Sequence, residues 1–414
     1  VSGPHATNAS MKPLRKGWEW IPLGKYVENH DGRRIPISKK ERESRSGSFP
    51  YYGASGVIDT IDGFTHDGEF LLIGEDGANL LTRSKPLAFL TKGKVWVNNH
   101  AHVLRCKPGY SNAYLAYFIN SIDLSQYVTG TAQPKLSQSM MNKILIPVAP
   151  PEQQVEIVAE LEKQFSRLDE AVANLKRVKA NLKRYRNSVL QVVTGGELSL
   201  DGTGASDVTQ WRWLTVEELA SKEPRSIQSG PFGSNLKHSE FQSTGKLVIG
   251  IDNVQDGRFS LGSNHRISEV KFTELAKYAA RPRDVLITVM ATIGRVCVVP
   301  ADIEEAIITK HVYRITVDKN VVIPEYFGIA LRGSKEVRTQ LMDSVQGQTR
   351  PGLNGGLIKK IRVPIPPLLE QHRIVAEIDR RLSLVRGVEA EVDANLKRAQ
   401  ALRQSTLSKA FSNG

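Results

Sequence analysis

Cysteine is nearly absent from this chain of 414 residues: Cys106 and Cys297 are too few for a disulfide framework or a CxxC metal site. Both sit in apolar, strand-like surroundings (HVLRC, GRVCVV), which reads as two plain buried thiols and a reducing, cytoplasmic compartment. No run of 18 apolar residues occurs, so no membrane-spanning helix is expected. The opening VSGPHATNAS has none of the charged, apolar and small-residue zones of a secretion signal. Catalytic signatures are missing too: no GxxxxGK(S/T), no GxGxxG, no HExxH and no GxSxG. Gly245-Lys246 lacks the upstream glycine and the hydroxyl residue of a phosphate loop. Both Pro-Pro pairs are followed by Glu or Leu, unlike the Asn/Asp-Pro-Pro-aromatic motif of amino-methyltransferases. His100 and His102 alternate as on a strand without Cys or Asp beside them, which reads as structural, with no metal expected. The expectation is a chain with no bond-making chemistry of its own.

What is present is positive charge, 56 Lys+Arg against 43 Asp+Glu for a net +13. Such an excess favours a polyanionic partner, nucleic acid above all, although some soluble proteins are simply basic. The length suits two to three domains.

The chain also repeats itself. Residues 144–161 (ILIPVAPPEQQVEIVAEL) align without a gap on 361–378 (IRVPIPPLLEQHRIVAEI), 217 residues later. Pro147 falls on Pro364, Gln154 on Gln371, and Ile157-Val158-Ala159-Glu160 on Ile374-Val375-Ala376-Glu377. Two copies at so long a period indicate a duplicated domain-plus-helix unit with pseudo-twofold character, not a solenoid. Each copy opens with Trp-x-Trp, Trp18-Glu19-Trp20 and Trp211-Arg212-Trp213. Short β-like runs follow, among them 69–73, 95–97, 284–289 and 312–317, and then a helix at 112–120 or 324–331. The Trp pairs are 193 apart and the closing motifs 217, so the second domain carries about 24 extra residues. The fold class expected is α+β: two globular domains separated by two long helices that pack as an antiparallel coiled coil.

After each Pro-Pro pair the pattern turns helical. Leu161, Leu168, Leu175, Leu182 and Val189 fall at strict seven-residue spacing, with Val178, Tyr185 and Val192 read as intermediate positions. Ile378, Val385, Val392 and Ala399 repeat the spacing, with Leu382, Val388, Leu396 and Leu402 beside them. Helices of about 40 residues, on the order of 60 Å, cannot bury such seams alone, so each is expected to cover the other. The alternative is a long core helix within an ordinary domain. Gly195-Gly196 and the polar run 201–207 end the first helix.

Basic, glycine-containing loops recur. The first domain has Lys39, Lys40, Arg42 and Arg45 ahead of Tyr51, then Gly130 to Leu136 with Gln133 and Lys135. The second has Ser234, Asn235, Lys237 and His238 within 229–238, then Gln348 and Arg350. Arg and Lys neutralise phosphates, and Arg, Gln and Asn read purine edges. Each loop alone is equally a solvated turn; together, on a +13 chain, they favour DNA contact. For Tyr51, core packing stands beside stacking or phosphate contact.

The duplicated I-x-(I/V)-P-x-x-P-x-x-x-Q-x-x-IVAE motif, with SGPFGSNLK, the run Val248 to Gly257 and Arg283-Asp284-Val285-Leu286-Ile287, strongly resembles the DNA-specificity subunit of Type I restriction-modification enzymes. The resemblance covers the chain after residue 15; Gln153 stands where the second copy has Glu370, a change expected to be tolerated. The chain stops about where the first copy continues into Gly195-Gly196, so a short or missing tail is expected. The resemblance implies two target recognition domains, 11–149 and 208–366, spacer helices at 150–196 and 367–412, and a linker at 197–207. Each domain would read one half of a bipartite, asymmetric site in double-stranded DNA. The helix pair would set the spacing and dock two modification subunits, which bind S-adenosylmethionine and methylate adenine N6. Two restriction subunits, using ATP and Mg, would complete the complex. No cofactor is expected in this chain. Two rivals differ in their signatures: an enzyme with an unrecognised site would bind or turn over adenosylmethionine, and a non-DNA scaffold would show salt-independent partner binding. An orphan subunit of the same family without working partners is a closer variant. The bases read, the spacer length and the oligomeric state are not legible in the sequence.

Overall fold

A computed structural model describes residues 14–130, 132–196, 208–262, 264–343 and 352–412, without the side chain of Ser234. The expected linker 197–207, Gln348, Arg350 and positions 11–13 lie outside the described residues. The chain divides into two compact units, Val1–Lys176 with Asp393–Gly414, and Arg177–Val392.

The first unit holds β1 (Glu19–Pro22), β2 (Val27–Asn29), β3 (Phe49–Gly53), β4 (Gly56–Ile61), β5 (His66–Asp67), β6 (Phe70–Gly74), β7 (Ala88–Thr91), β8 (Lys94–Val97), β9 (Ala101–Cys106) and β10 (Leu145–Val148). Strands β2-β9-β6-β7 form an antiparallel sheet, and β4-β3-β8-β5 a second sheet with one parallel pair, β3 with β8. The second unit holds β11 (Arg212–Thr215), β12 (Ile227–Ser229), β13 (Lys246–Ile249), β14 (Val254–Gln255), β15 (Arg258–Phe259), β16 (Arg266–Ile267), β17 (Ala279–Ala280), β18 (Val285–Thr288), β19 (Val296–Val298), β20 (Ala306–Ile308), β21 (Val312–Ile315) and β22 (Arg362–Ile365). The same two sheets recur as β12-β21-β18-β19 and β16-β13-β20-β17, with the single parallel pair again in the second. More than half of the extra residues of the second copy have one location. Strands β3 and β4 are joined by a tight turn, whereas β13 and β16 are joined by 250–265, which carries the hairpin β14–β15.

Strand β6 is an unbroken apolar run because both its faces are covered. Leu71 and Ile73 pack on the helix Asn112–Ser121, and Phe70 and Leu72 face Val95 and Val97 of the other sheet. Strand β18 repeats the division: Val285 and Ile287 meet the helix Pro324–Gly333, and Leu286 meets Leu247, Ile249 and Ile308. This is the two-residue alternation of a strand applied between two apolar layers.

A small sheet closes each unit. β1 pairs with β10, setting Trp20 opposite Pro147, and β11 pairs with β22, setting Trp213 opposite Pro364. The long helices follow at Pro151–Thr194 and Leu368–Phe411. Proline at the first start needs no N–H partner, and Gly196, with φ +72°, supplies the left-handed stop after the first helix. At both starts a buried glutamine ties the helix to its domain. The Gln154 side-chain oxygen accepts from the Ser111 amide (3.2 Å) and the Tyr26 hydroxyl (3.1 Å), and its NH2 donates to the Ala149 carbonyl (2.8 Å). Gln371 accepts from the Ile323 amide (2.9 Å) and donates to the carbonyls of Pro366 (2.9 Å) and Val321 (3.0 Å).

Within each unit the two helices run antiparallel. In the first, Leu161 and Phe165 pack with Leu407, and Arg403 pairs with Asp169 and covers the Phe165 ring. In the second, Val189, Leu190 and Val193 share a core with Ile374, Ile378 and Leu382. The principal heptad rows lie buried or half-buried as expected. Their intermediate row is mixed: Val192, Leu382 and Leu396 are buried or half-buried, whereas Val178, Tyr185, Val388 and Leu402 are exposed. In the first helix it is filled by Phe165, Val172, Arg186 and Val193, one position further on, so the step after Leu161 is four residues and not three.

Phe165→Ala is expected to cost about 3 kcal/mol of stability, whereas Val178→Ala should stay within about 0.5 kcal/mol, both read by denaturant unfolding of the full chain. In the same assay Gln154→Leu and Gln371→Leu should each cost about 2–3 kcal/mol, because each strands buried backbone groups without partners.

Candidate nucleic-acid interface

The first unit gathers four loops at one end of β2, β6 and β9. The turn after β2 contributes Asp31 and Arg34, the turn after β6 contributes Glu75 and Asp76, the turn into β9 contributes His100, and the fourth is Thr129 to Leu136. Asp31 accepts from the Val103 amide (2.7 Å) through one oxygen and meets His102 Nδ1 (2.6 Å) through the other. Arg34 reaches Glu75 (2.5 Å), Asp31 (3.4 Å) and the Ala101 carbonyl (2.9 Å). Lys135 pairs with Glu75 at 3.2 Å, and His100 with Asp76 at 2.7 Å. His102 Nε2 meets the Leu136 carbonyl at 2.8 Å.

Burial raises the pKa of Asp31 and Glu75, but their partners outweigh it and leave both carboxyls below the usual range: His102 and the Val103 amide for Asp31, Arg34, His102 and Lys135 for Glu75. Burial likewise pulls His102 down, and Asp31, the Leu136 carbonyl and Glu75 more than compensate, leaving it raised. Asp31, Glu75 and His102 have the spacing of a metal-ligand trio, within 4.8 Å of one another. The Arg34 guanidinium already bridges the two carboxylates, so the donor set is matched to a fixed organic cation and does not fit a divalent ion.

The fourth loop is held at both ends. Thr129 and Lys135 exchange backbone hydrogen bonds (2.8 and 2.7 Å), the Gly77 amide donates to the Pro134 carbonyl (3.0 Å), and the Leu136 amide donates to the Glu75 carbonyl (2.7 Å). Gly130 has φ +84°, and a Cβ there would lie 2.5 Å from the Gln133 carbonyl oxygen. Gln133 and Lys135 are exposed on this loop, and Leu136 is buried beneath it.

Lys39 and Lys40 are exposed on the short helix Lys39–Glu43. Arg42 and Arg45, expected to meet phosphate, are half-buried and paired, with Asp59 (2.9 Å) and Asp62 (2.7 Å) of the neighbouring strand and its end. Tyr51 is 1 % exposed, lies under Arg42 and exchanges hydrogen bonds with Ile37; of its two readings, core packing is the one the structure shows. The Ile37 carbonyl also accepts from Arg42 (2.8 Å), so residues 31–45 link this group to the charge network.

In the second unit Asn235, Lys237 and His238 are exposed on a chain of tight turns that includes Ser234. The Lys237 amide is capped by Glu240 (2.6 Å), and the His238 ring lies against Phe241. Sequence reasoning missed Phe232, 61 % exposed in that loop, and the turn Met290 to Arg295, where Ala291 has φ +61°. It also missed the network around Glu75, whose members come from four separated segments; the strings HDGRR and GEDG, acidic turns beside basic residues, were the available signal. A further repeat was legible: GTAQPKLS (130–137) sits 217 residues before GQTRPGLN (347–354). The structure matches its described ends. The Leu353 amide donates to the Val289 carbonyl (3.1 Å) as Leu136 does to Glu75, and Ser137 and Asn354 cap the helices that follow.

Two copies of one scaffold, each ending in a long helix and holding different side chains at matching loops, define a duplicated recognition protein. The family model described as Type I restriction modification DNA specificity domain matches residues 15–184 and 236–392, and the chain belongs to that family. A Haemophilus influenzae chain provisionally named type I restriction enzyme specificity subunit S.HindORF215P is 27% identical over 94% of this chain and 95% of its own length. The Escherichia coli type I restriction enzyme EcoBI specificity subunit is 26% identical over 91% of this chain and 79% of its own. A solved chain from work on complex assembly and conformational transition of the type I R-M system shares the fold, with TM-score 0.68 at 18% identity, covering 97% of this chain and 100% of that one. The protein is thus a Type I restriction-modification specificity subunit with DNA-recognition domains. No described helix is long and apolar enough to cross a membrane.

The depressed pKa values of Asp31 and Glu75 carry a sign. Their contribution to stability is complete above their unfolded values, about 4, and is lost as pH falls through the folded ones. Thermal unfolding should therefore shift down as the solution is acidified below about pH 4, and Glu75→Gln should shrink that shift while lowering stability at neutral pH by about 3 kcal/mol.

Proposed function

We propose that the chain is the address-reading component of a Type I restriction-modification complex. Each domain, 11–149 and 208–366, reads one half of a bipartite, asymmetric site in double-stranded DNA. The observation that carries this reading is the repeated scaffold with unlike loops: Gln133-Pro134 in one copy stands where the other has Arg350-Pro351, and Glu75 where the other has Val289. Glutamine and arginine favour different purines, so unlike loops imply unlike half-sites. Lys39, Lys40, Lys135, Lys237 and Arg350 supply phosphate or base contacts, with Gln133, Ser234, Asn235, His238 and Gln348 as further contacts. Arg42 and Arg45 contribute once released from Asp59 and Asp62, or by shaping the surface where they stand. The helices at 150–196 and 367–412, after the linker 197–207, set the spacer and dock two modification subunits. Those subunits hold S-adenosylmethionine and methylate adenine N6; two restriction subunits with ATP and Mg complete the assembly in the cytoplasm. The chain itself makes and breaks no bonds.

A genome-wide map of N6-methyladenine with and without the gene tests the reading: one bipartite motif with a fixed spacer should lose methylation on both strands. Exchange of residues 11–149 for another family member's first domain should then change one half of that motif only; a change in both halves would refute modular reading.

A further inference from the structure

We propose that His102, held as an imidazolium, is the positioning residue for the first domain's reading loop, Thr129 to Lys135. This rests on the reading of that loop as a base-contacting element, and adds the chemical condition under which the loop is set.

The argument begins with what each ring nitrogen faces. Nδ1 is 2.6 Å from a carboxylate oxygen of Asp31, and Nε2 is 2.8 Å from the Leu136 carbonyl. The carbonyl can only accept a hydrogen bond. Asp31 is ionised, since its other oxygen accepts from the Val103 amide and Arg34 lies beside it, so it too can only accept. Two acceptors require two N–H donors, and an imidazole has two only when protonated. The ring is 1 % exposed, so water cannot substitute for either partner.

The bond to Leu136 is where this reaches the surface. Leu136 directly follows the loop, and its side chain is anchored in the core. Its amide is held by Glu75 and its carbonyl by His102; Lys135 is held by the Glu75 carboxylate and Pro134 by the Gly77 amide. Loss of the ring proton on Nε2 sets a lone pair against the Leu136 carbonyl and releases one clamp of the frame that presents Gln133. The charged groups facing the ring are Asp31 and Arg34 from the turn after β2, Glu75 from the turn after β6, and Lys135 from the loop. The Asp76–His100 pair lies beside them, and His30 and His66 couple to Asp31. The carboxylates of Asp31 and Glu75 favour the cation, and Arg34 and Lys135 oppose it. The raised pKa fixes the sign: with Asp31 ionised, docking is complete below the ordinary imidazole pKa and is lost as pH rises through the folded value. In the second unit the Leu353 amide repeats the Leu136–Glu75 backbone bond by donating to the Val289 carbonyl, and Tyr313 stands on β21 where His102 stands on β9.

The two halves of a bipartite site supply the internal control. The full chain is incubated with a random-sequence DNA duplex library at about pH 7 and again at about pH 9, the latter well above the ordinary imidazole pKa, and the bound duplexes are sequenced. Discrimination in one half of the recovered motif should fall by about tenfold at the higher pH, the size of one lost base contact, while the other half stays sharp. His102→Gln should show the weakened half at both pH values, with a flat profile. Equal sharpness of both halves of the wild-type motif at high pH overturns the proposal, as does a pH profile that survives in His102→Gln. Recovery of no bipartite motif at either pH overturns instead the functional reading beneath it. Should the variant fail to fold, imidazole 15N shifts of the wild-type chain decide: both nitrogens protonated at pH 7 supports the assignment, and a neutral tautomer ends it.

Discussion

A buried glutamine amide at the start of each long helix is the constraint on which both domains depend. The segments that lead into the helices are rich in proline: Pro147, Pro150 and Pro151 in one copy, Pro364, Pro366 and Pro367 in the other. Proline removes an N–H but leaves its carbonyl, and a buried carbonyl without a donor is costly. The fold brings donors from elsewhere. The Tyr114 hydroxyl donates to the Pro147 carbonyl (2.5 Å), and the Tyr326 hydroxyl to that of Pro364 (2.8 Å). Gln154 and Gln371 donate to the carbonyls of Ala149 and Pro366, while their oxygens accept from the amides that begin the domain helices, those of Ser111 and Ile323. One side chain thus joins the proline segment, the long helix and the domain core. A carboxylate could accept in the same place but could not donate, and a leucine could do neither.

Much of this architecture is legible in the order of the residues alone, and the reasons for the misses are specific. The two long helices, their boundaries and the domain helices at 112–121 and 324–333 follow from spacing and proline placement, which are local signals. The heptad rows show where locality ends. Apolar residues stand both three and four positions after the principal leucines, so Val178 and Phe165 are equally good candidates on sequence, and only the partner helix decides between them. The ion pairs of Arg42 and Arg45 are hidden for a related reason. Their carboxylates lie on a strand and its end, 17 residues away, and nothing in the string KKERESR announces that Asp59 and Asp62 will meet it. Tyr51 then follows, since the aliphatic and guanidinium parts of Arg42 cover its ring.

The repeat separates what the scaffold requires from what recognition is free to change. Sheet order, the parallel pair, the closing strand opposite proline, the tyrosine hydroxyl and the glutamine recur in both units. The groups at the loop ends do not. Where the first unit sets a charge network of Asp31, Arg34, Glu75 and His102 at the end of its loop, the second, among the described residues, has Val289 and Tyr313 in the places of Glu75 and His102. Its buried charges include Asp284 and Arg314, where Asp284 accepts from Thr316 and Arg314 donates to the carbonyls of Ala279 and Arg225 but leaves its Nε without a hydrogen-bond partner.

Net charge therefore overstates what is available to a phosphate backbone. Of the cations singled out for DNA, Arg42, Arg45 and Lys135 already face Asp59, Asp62 and Glu75. Each would give up an existing partner to meet a phosphate, and that exchange is worth less than a contact made by a solvated lysine. Lys39 and Lys40, exposed together on one short helix, involve no such trade among the described residues. Counterion release counts phosphates neutralised, not residues of positive charge. Under the proposed contacts, the salt dependence of binding would be set by solvated lysines such as Lys39 and Lys40, with the paired arginines shaping the surface around them.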